Sequence, residues 1–328
     1  MDVTYSRNVF IPLSDACRNA CAYCGFRRDE PQILPIRKVR ILLEEGARHG
    51  CKEALFTLGE RPESHPEIAA QLKSWGYSSV IEYLYDLCLL ALDKGLLPHS
   101  NPGVISREEL KSLKEVNASM GLMLENSSPR LLEPGMPHYR SPGKEPKKRL
   151  RVMADAGRLK IPFTTGLLIG IGETQDEVQA SLEDIARIQS KYGNIQEIII
   201  QNFKPKEGTP MAHHPTPGFE AVLSAVRAAR EVLPDVALQV PPNLNPEWPA
   251  LLREGVTDLG GISPVTQDYI NPEDAWPRVK ELKEKLRKMG HNLRERLPIY
   301  PAYISRGWFS DQVAPLIFKY AGKDGLVV

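Results

Sequence analysis

The chain has 328 residues, 42% of them hydrophobic and 25% charged, and 42 Lys and Arg against 41 Asp and Glu leave a formal net charge of +1. This balance lacks the clustered basic face of a nucleic-acid-binding protein. No apolar run is long enough to cross a bilayer, and the N-terminus has no basic segment followed by an apolar core. We therefore expect a cytoplasmic protein with neither a nucleic-acid nor a membrane partner.

The first predicted strand ends near Val9 to Ile11 and runs into a loop of closely spaced cysteines. Cys17, Cys21 and Cys24 stand in the spacing C-x3-C-x2-C within CRNACAYC. Iron–sulfur clusters are held by cysteine thiolates, normally one per iron. A loop that supplies three leaves one iron open to an outside ligand, and an open position distinguishes catalytic from structural metal sites. The loop therefore predicts a catalytic [4Fe-4S] cluster.

Two other uses of the cysteines are weaker. Structural zinc needs a fourth Cys or His at ligand spacing, and His49 with Cys51 makes a poor second pair because both adjoin a predicted helix end. A disulfide framework is not expected in a long chain with five cysteines and no secretion signal. Cys88, among leucines, and Cys51 are predicted to be core thiols.

The rest of the chain alternates between helical and strand patterns. Residues 36–49 predict a helix that Gly50 ends, and two capping boxes, Ser106 with Glu109 and Thr174 with Glu177, predict helix starts. Further helices are predicted at 78–96, up to Ala156, up to Lys191 and around 277–289. Strands are predicted at 53–60, 97–100, 119–125, 162–172, 196–203, 236–244 and 258–265.

This alternation predicts one α/β domain over residues 1–328. About eight strand–helix units argue for a TIM-type (β/α)8 barrel. A partial (β/α)6 barrel with a C-terminal extension is the alternative. In both, the chemistry belongs at the carboxyl ends of the strands, where the cysteine loop follows the first strand.

Three other strand ends carry residues suited to a ligand. Gly59 and Glu60 end the second strand, where a glycine permits close approach and a carboxylate can meet an amine. Glu125 ends the strand MGLMLE and could accept both hydroxyls of a ribose. The glycines of 166–173 resemble a phosphate loop but lack its lysine and spacing, so a strand edge for an adenine fits better, with tight packing as the structural alternative.

Two groups of polar residues are explained most simply without a functional role. The basic residues from Lys144 to Arg151 are expected to form a solvated helix face, with an anionic ligand group as the functional alternative. The seven histidines are scattered without metal-ligand spacing.

The cysteine motif, Gly-Glu after the second strand and the glycine-rich fifth strand together resemble the radical S-adenosylmethionine (SAM) superfamily. The resemblance implies that Cys17, Cys21 and Cys24 bind three irons and that SAM binds the fourth. The SAM contacts that it implies are Tyr23, Gly59, Glu60, Glu125, Ile169, Gly170 and Gly172. The superfamily's Gly-Gly-Glu is Leu58-Gly59-Glu60 here, which puts the role of the first glycine in doubt.

Within the superfamily, nearly the whole chain resembles the CofG-type subunits of 7,8-didemethyl-8-hydroxy-5-deazariboflavin (FO) synthase. The stretches that carry this are YSRNVFIPLSDACRNACAYCGF, GCKEALFTLGERPE, GLMLENSSPRL and NLNPEWPALLREGVTDLGGISPVTQDYINPEDAWP. The family implies an ammonia-lyase that uses an external one-electron donor. Its substrate is the adduct that a CofH-type radical SAM subunit makes from tyrosine and 5-amino-6-ribitylaminouracil.

Polar residues at the late strand ends are the substrate contacts that we predict: Gln201, Asn202, Gln239, Asn243, Asp258 and Ser263. Other functions remain open at this stage. They are a biotin-synthase-like or menaquinone-pathway radical SAM enzyme, an electron-transfer protein with four cysteine ligands, and a zinc-stabilised binding module.

Overall fold

The computed structural model describes residues 1–328, and its centre is a closed parallel β-barrel. Eight strands follow in the order β1 to β8, and β8 pairs with β1 to close the ring. The closure confirms the predicted (β/α)8 barrel and excludes the partial (β/α)6 alternative. The strands are β1 Asp2–Ser14, β2 Glu53–Leu58, β3 Leu97–Asn101, β4 Ser119–Gly121, β5 Phe163–Ile169, β6 Ile195–Asn202, β7 Ala237–Gln239, β8 Asp258–Ile262 and β9 Asn292–Arg296.

Helices cover the outside of the barrel. Both predicted capping boxes are formed, by Ser106 with Glu109 and by Thr174 with Glu177. None of the helices is long and apolar enough to span a bilayer. The helices are α1 Ile36–Arg48, α2 Pro66–Ser74, α3 Val80–Asp93, α4 Arg107–Lys114, α5 Pro146–Arg158, α6 Gln175–Tyr192, α7 Phe219–Val232, α8 Trp248–Leu251, α9 Val279–Lys288, α10 Pro301–Ser305 and α11 Ala314–Tyr320.

A ninth strand, β9, was not among the predicted elements. It pairs with residues 2–6 of β1, whereas β2 pairs with residues 8–14 of the same strand. Because β8 lies on the other edge of β1, β9 continues beneath β2 at the amino end of the barrel. The chain that follows packs there in a small apolar cluster around Leu297, Ile299 and Tyr303.

The main hydrophobic core lies between the barrel and its helices. It contains 62 buried residues, among them Cys51 and Cys88, which confirms that these two thiols belong to the core. The short strands β4 and β7 have three residues each, fewer than their predicted spans of 119–125 and 236–244. The carboxyl ends of these spans are instead a loop at 122–125 and a turn at 242–244, and both contribute residues to the cavity lining.

Candidate functional site

A cavity of about 400 Å³ occupies the barrel interior and opens at the carboxyl ends of the strands. Residues from all nine strands border it, from the cysteine loop at the top to Arg296 and Pro298 at the bottom. Apolar walls with a few converging polar groups are typical of a small-molecule site. The cavity lies where the barrel rule predicts the chemistry.

The cysteine loop forms one side of the cavity mouth. All three thiols, those of Cys17, Cys21 and Cys24, border the cavity and are partly exposed. Backbone hydrogen bonds hold the loop in place, from the Arg18 amide to the Glu60 carbonyl (3.0 Å) and from the Ala22 amide to the Pro137 carbonyl (2.8 Å). The loop is therefore shaped by the protein before any ligand binds.

Gly59 allows the end of β2 to approach this loop closely. A Cβ at this position would overlap the Ala16 carbonyl and lie 2.7 Å from the Cβ of Cys17. The approach lets the backbone amide of Glu60 donate a hydrogen bond to the Cys17 sulfur at 3.2 Å, and the Asn19 amide donates to the same sulfur at 3.4 Å. Hydrogen bonds to cluster sulfurs are one means by which a protein sets a cluster's reduction potential.

Burial changes the pKa values of two loop thiols in the metal-free protein. It raises the pKa of Cys17 and the pKa of Cys21, and in the latter the nearby Lys144 ammonium partly opposes it. Both groups therefore hold their protons at neutral pH in the metal-free protein, and a metal that binds them must displace those protons.

The three thiols fit an iron–sulfur cluster better than a single ion. Structural zinc sites are closed by four Cys or His ligands, whereas the loop offers three thiols. A four-iron cluster takes one thiolate per iron and so accepts thiols that do not meet at one point. Cys17, Cys21 and Cys24 are the residues that would hold it.

Glu60 borders the cavity but is already paired within the protein. Its carboxylate accepts hydrogen bonds from Arg18 Nε at 2.7 Å and from the Val104 amide at 2.9 Å, and Arg149 lies 3.6 Å away. The side chain is only 4% exposed. An amine that met this carboxylate would therefore share it with two arginines.

Glu125 and Tyr23 lie together beside the cysteine loop. Glu125 has a positive φ of 64°, uncommon for a residue other than glycine, and it accepts a hydrogen bond from Lys144 Nζ at 2.7 Å. The Tyr23 hydroxyl lies 3.1 Å from Nε2 of His138. Burial lowers the pKa of His138 to about 2 and raises that of Tyr23 well above 10, so both groups are neutral and share a hydrogen bond. This bond fixes the Tyr23 ring at the mouth.

The basic residues of 144–151 divide into two groups, which corrects the expected solvated face. Lys147, Lys148 and Arg151 are exposed, as predicted. Lys144 and Arg149 are 8% and 5% exposed and border the cavity, next to Glu125 and Glu60. The helical pattern alone could not show this, because Lys144 precedes α5 and Arg149 faces inward from it.

The glycine-rich end of β5 lies beside the cavity and does not line it. Ile169 is buried, and the amides of Gly170 and Ile171 donate to the Glu173 carboxylate at 2.6 and 2.8 Å. Gly170 and Gly172 have φ values of 95° and 106°, which the turn into α6 requires. Leu168, one residue earlier, is the residue of this strand end that borders the cavity.

Only two of the six predicted substrate contacts, Gln201 and Gln239, border the cavity, and neither side chain has a hydrogen-bond partner in the protein. The other four lie outside the cavity lining and have hydrogen-bond partners within the protein, and their assignment to substrate stays a prediction. Asn202 donates to the Leu244 carbonyl, Asn243 to the Asp268 side chain, Asp258 accepts from Arg296, and Ser263 bonds Thr266.

Sequence reasoning missed the polar residues deeper in the barrel. Asn8, Glu53, His99 and Arg296 all border the cavity. The first three are in β1, β2 and β3, where the side chains point alternately inward and outward. These residues could have been found by looking for polar side chains at inward-facing positions of the predicted strands.

The chain matches the family model described as the radical SAM superfamily over residues 11–185, just over half of its length. It is also similar over nearly its whole length to proteins named 7,8-didemethyl-8-hydroxy-5-deazariboflavin synthase. It is 52% identical to the one from Archaeoglobus fulgidus, with 98% of each chain covered. With the one from Methanopyrus kandleri the identity is 50%, over 98% of this chain and 99% of the relative.

Solved structures with the same fold are much more distant in sequence. The crystal structure of HydG, a maturase of the [FeFe]-hydrogenase, superposes with a TM-score of 0.74 at 19% identity, over 95% of this chain and 68% of that one. Methylornithine synthase (PylB) superposes with a TM-score of 0.69 at 18% identity, over 89% and 83%. At such identities the likeness concerns the fold alone.

Proposed function

Because the chain belongs to the radical SAM superfamily, and within it to the 7,8-didemethyl-8-hydroxy-5-deazariboflavin synthases, we propose that it completes the deazaflavin ring system by that chemistry. The substrate is the adduct of a tyrosine-derived hydroxybenzyl group with 5-amino-6-ribitylaminouracil. The reaction closes the third ring and releases ammonia, while SAM yields 5′-deoxyadenosine and methionine. The observation that carries the proposal is identity of about one half over nearly the full length of the named relatives.

The family's cofactors are a [4Fe-4S] cluster and SAM. When bound, they supply a 5′-deoxyadenosyl radical that removes a hydrogen atom from the substrate. The chain's part is to hold the three irons through Cys17, Cys21 and Cys24, and to keep the reacting groups in an enclosed cavity from which water is displaced.

We assign the SAM contacts from the family resemblance, and the geometry supports some more than others. Tyr23 and Glu125 are adjacent at the mouth, and Gly59 brings Glu60 against the Cys17 loop. Lys144 Nζ donates to the Glu125 carboxylate at 2.7 Å and so orients it, which suits an acceptor of ribose hydroxyls. Ile169, Gly170 and Gly172 have weaker support, because they lie behind the cavity wall.

We assign Gln201 and Gln239 to the substrate. Their carboxamides each offer a donor and an acceptor, and a pyrimidinedione ring presents the same pair along its edge. Both side chains border the cavity between its mouth and its floor. A net hydrogen bond of this kind contributes about 0.5–1.5 kcal/mol.

The proposal includes a second protein and a location. A CofH-type radical SAM subunit supplies the adduct, and an external donor supplies one electron. We place the enzyme in the cytoplasm, where reduced thiols persist. The ammonia-lyase classification rests on the family resemblance.

Anaerobic reconstitution tests the proposal. The protein is loaded with iron and sulfide, reduced with dithionite and given SAM, the CofH-type subunit, tyrosine and 5-amino-6-ribitylaminouracil. We expect 5′-deoxyadenosine and a fluorescent deazaflavin that forms only in the complete mixture. Absence of 5′-deoxyadenosine from that mixture would refute radical SAM chemistry, whereas 5′-deoxyadenosine without deazaflavin would point to another substrate.

Two cysteine variants test the cluster ligands. Cys21→Ala removes a thiol at the cavity mouth and is expected to abolish both products and to lower the bound iron. Cys51→Ala removes a thiol in the main core, 3% exposed, and is the matched control that should keep its iron. Full iron content in Cys21→Ala would overturn the ligand assignment.

A further inference from the structure

The floor of the cavity is polar, although it is the most deeply buried part of the barrel. Asn8, Glu53, His99, Glu197 and Arg296, which we call the floor residues, all border the cavity, and each is less than 9% exposed. Arg296 binds Glu197 at 2.8 Å and Asp258 at 2.6 Å. The remaining floor residues keep polar atoms that no protein group satisfies.

His99 presents a bare nitrogen to the cavity. Its Nδ1 lies 2.7 Å from the Ser119 hydroxyl, which donates its only hydrogen to the Pro298 carbonyl at 2.7 Å. Nδ1 must therefore carry the proton and donate to Ser119. Burial and the Arg296 charge lower the pKa of His99 to about 4, so the ring is neutral at pH 7 and Nε2 is an acceptor.

A second acceptor lies beside this nitrogen. Modelling a Cβ on Gly121 brings it 3.1 Å from His99 Nε2 and into overlap with Asn101 Oδ1, so both atoms face the same gap. Asn101 Oδ1 is buried without a hydrogen-bond partner. The Asn101 side chain is near enough to interact with the His99 ring, and a ligand hydroxyl that entered this gap would donate to Nε2 or to Oδ1.

Glu53 and Asn8 face each other across β1 and β2, where they are register partners. Glu53 Oε2 accepts from the Ser6 hydroxyl, while Oε1 has no donor. Neither amide atom of Asn8 has a partner, and its side chain fills the space left by Gly261, where a Cβ would overlap it. The floor thus adds two more acceptors and one donor.

This set of atoms selects the class of ligand. An apolar group would leave each of them unsatisfied, at about 1–3 kcal/mol apiece. An anion is disfavoured, because Glu53, Glu197 and Asp258 carboxylates surround the single Arg296 guanidinium. An uncharged chain of hydroxyls fits, since each hydroxyl donates to an acceptor and can accept from Asn8 Nδ2.

We propose that the floor binds the ribityl chain of the substrate, so that the substrate enters tail first and its ring system is held above, towards the cysteine loop. This inference rests on the proposed function, which supplies the ribityl group. It assigns His99, Glu53 and Asn8 as positioning residues that recognise the polyol. It also explains why these buried polar atoms lack partners within the protein.

A cycle of two substrates and two enzymes tests the floor. The natural adduct is compared with an analogue whose ribityl chain is replaced by n-pentyl, which keeps the length and removes the hydroxyls. We expect wild type to lose at least tenfold in kcat/KM on the analogue, since one hydrogen bond is worth about that factor. Compared with wild type, His99→Phe should lose about tenfold in kcat/KM on the adduct. On the analogue the two enzymes should differ little.

Binding and control measurements accompany the cycle. Dissociation constants of the adduct and the analogue, measured by tryptophan fluorescence on cluster-free protein, should show the same pattern without turnover. Glu53→Gln is a second floor variant if His99→Phe folds poorly. His49→Phe, an exposed histidine after α1, is the matched control and should behave as wild type with both ligands.

The outcomes separate this inference from the proposed function. If wild type makes deazaflavin but handles adduct and analogue alike, or if the floor variants lose equally on both, the floor does not recognise the polyol. If wild type makes no deazaflavin from the adduct, the proposed function itself fails. Loss confined to the hydroxylated ligand supports the assignment.

Discussion

Charge is unevenly distributed among the residues at the floor of the barrel. Three carboxylates, those of Glu53, Glu197 and Asp258, surround one guanidinium, that of Arg296. Burial raises the pKa of Glu53 and of Glu197, and Arg296 opposes the shift in both. The excess of acids over the single cation disfavours anionic ligands.

His99 makes the stability of the fold depend on pH. Its pKa is lowered from 6.5 to about 4 in the folded state, so below pH 6.5 the unfolded chain binds a proton that the folded chain does not. Stability therefore falls as pH drops from 6.5 towards 4, by about 1.4 kcal/mol per pH unit from this residue.

Urea denaturation of wild type and His99→Phe between pH 4 and 8 measures this contribution. The difference in unfolding free energy between the two proteins should be constant above pH 6.5 and change below it, with His99→Phe losing less stability in acid. A difference that stayed constant over the whole range would show that His99 titrates alike in both states.

At the level of secondary structure, β9 is the element that completes the barrel floor. It pairs along residues 2–6 of β1 and places Arg296 under the cavity, where the side chain is 4% exposed. The next turn of chain adds Pro298, whose carbonyl accepts from Ser119 and from Gln196. The strand thus closes the end opposite to the cysteine loop.

Arg296→Met tests the energetic role of β9. The variant leaves buried carboxylates without their cation, so we expect a loss of about 3–5 kcal/mol in unfolding free energy. Arg294→Met is the matched control on the same strand, because Arg294 pairs with Asp2 and Asp324 at the surface and should cost about 0–1 kcal/mol. Equal losses in urea denaturation would contradict this role.

Local patterns predicted most elements of the barrel, because their signals lie within a few residues. The apolar spacing of α1 and the capping boxes at Ser106 and Thr174 are examples. The strand β9 (Asn-Leu-Arg-Glu-Arg) was missed because three of its five residues are charged, and its place depends on pairing with β1, some 290 residues earlier.

In the candidate site, too, local sequence patterns were predictive and contacts between distant parts of the chain were not. The cysteine spacing is local, and it predicted the loop that the structure places at the cavity mouth. Asp258 was predicted to contact substrate as a polar residue at a strand end, whereas the structure pairs it with Arg296 from β9, which the sequence did not reveal. Both Gln201 and Asn202 were predicted to contact substrate, but only Gln201 borders the cavity. Which of these two neighbours on β6 points inward depends on the register of the closed barrel.

For the whole molecule, the prediction of one domain over residues 1–328 remains to be tested by unfolding. Trp75 packs against the main core, and Trp308 packs in the apolar cluster beneath β9. Because β9 joins the two regions through β1, we expect both to unfold in one transition.

Two variants that each keep one tryptophan, Trp75 or Trp308, with the other three replaced by Phe, compare the two regions by fluorescence in urea alongside far-UV circular dichroism. Both variants should show the same midpoint by both methods. A transition reported by Trp308 at lower urea than the rest would divide the chain into two cooperative units.

The distribution of the five cysteines also has a practical consequence for chemical labelling. Cys51 and Cys88 are sealed in the core with pKa values raised to about 12, whereas the three loop thiols reach the cavity and its opening. An alkylating reagent applied to the native protein can therefore modify only the loop thiols, and iron bound to them blocks it. The number of alkyl groups found by mass spectrometry thus counts the unloaded molecules in a preparation.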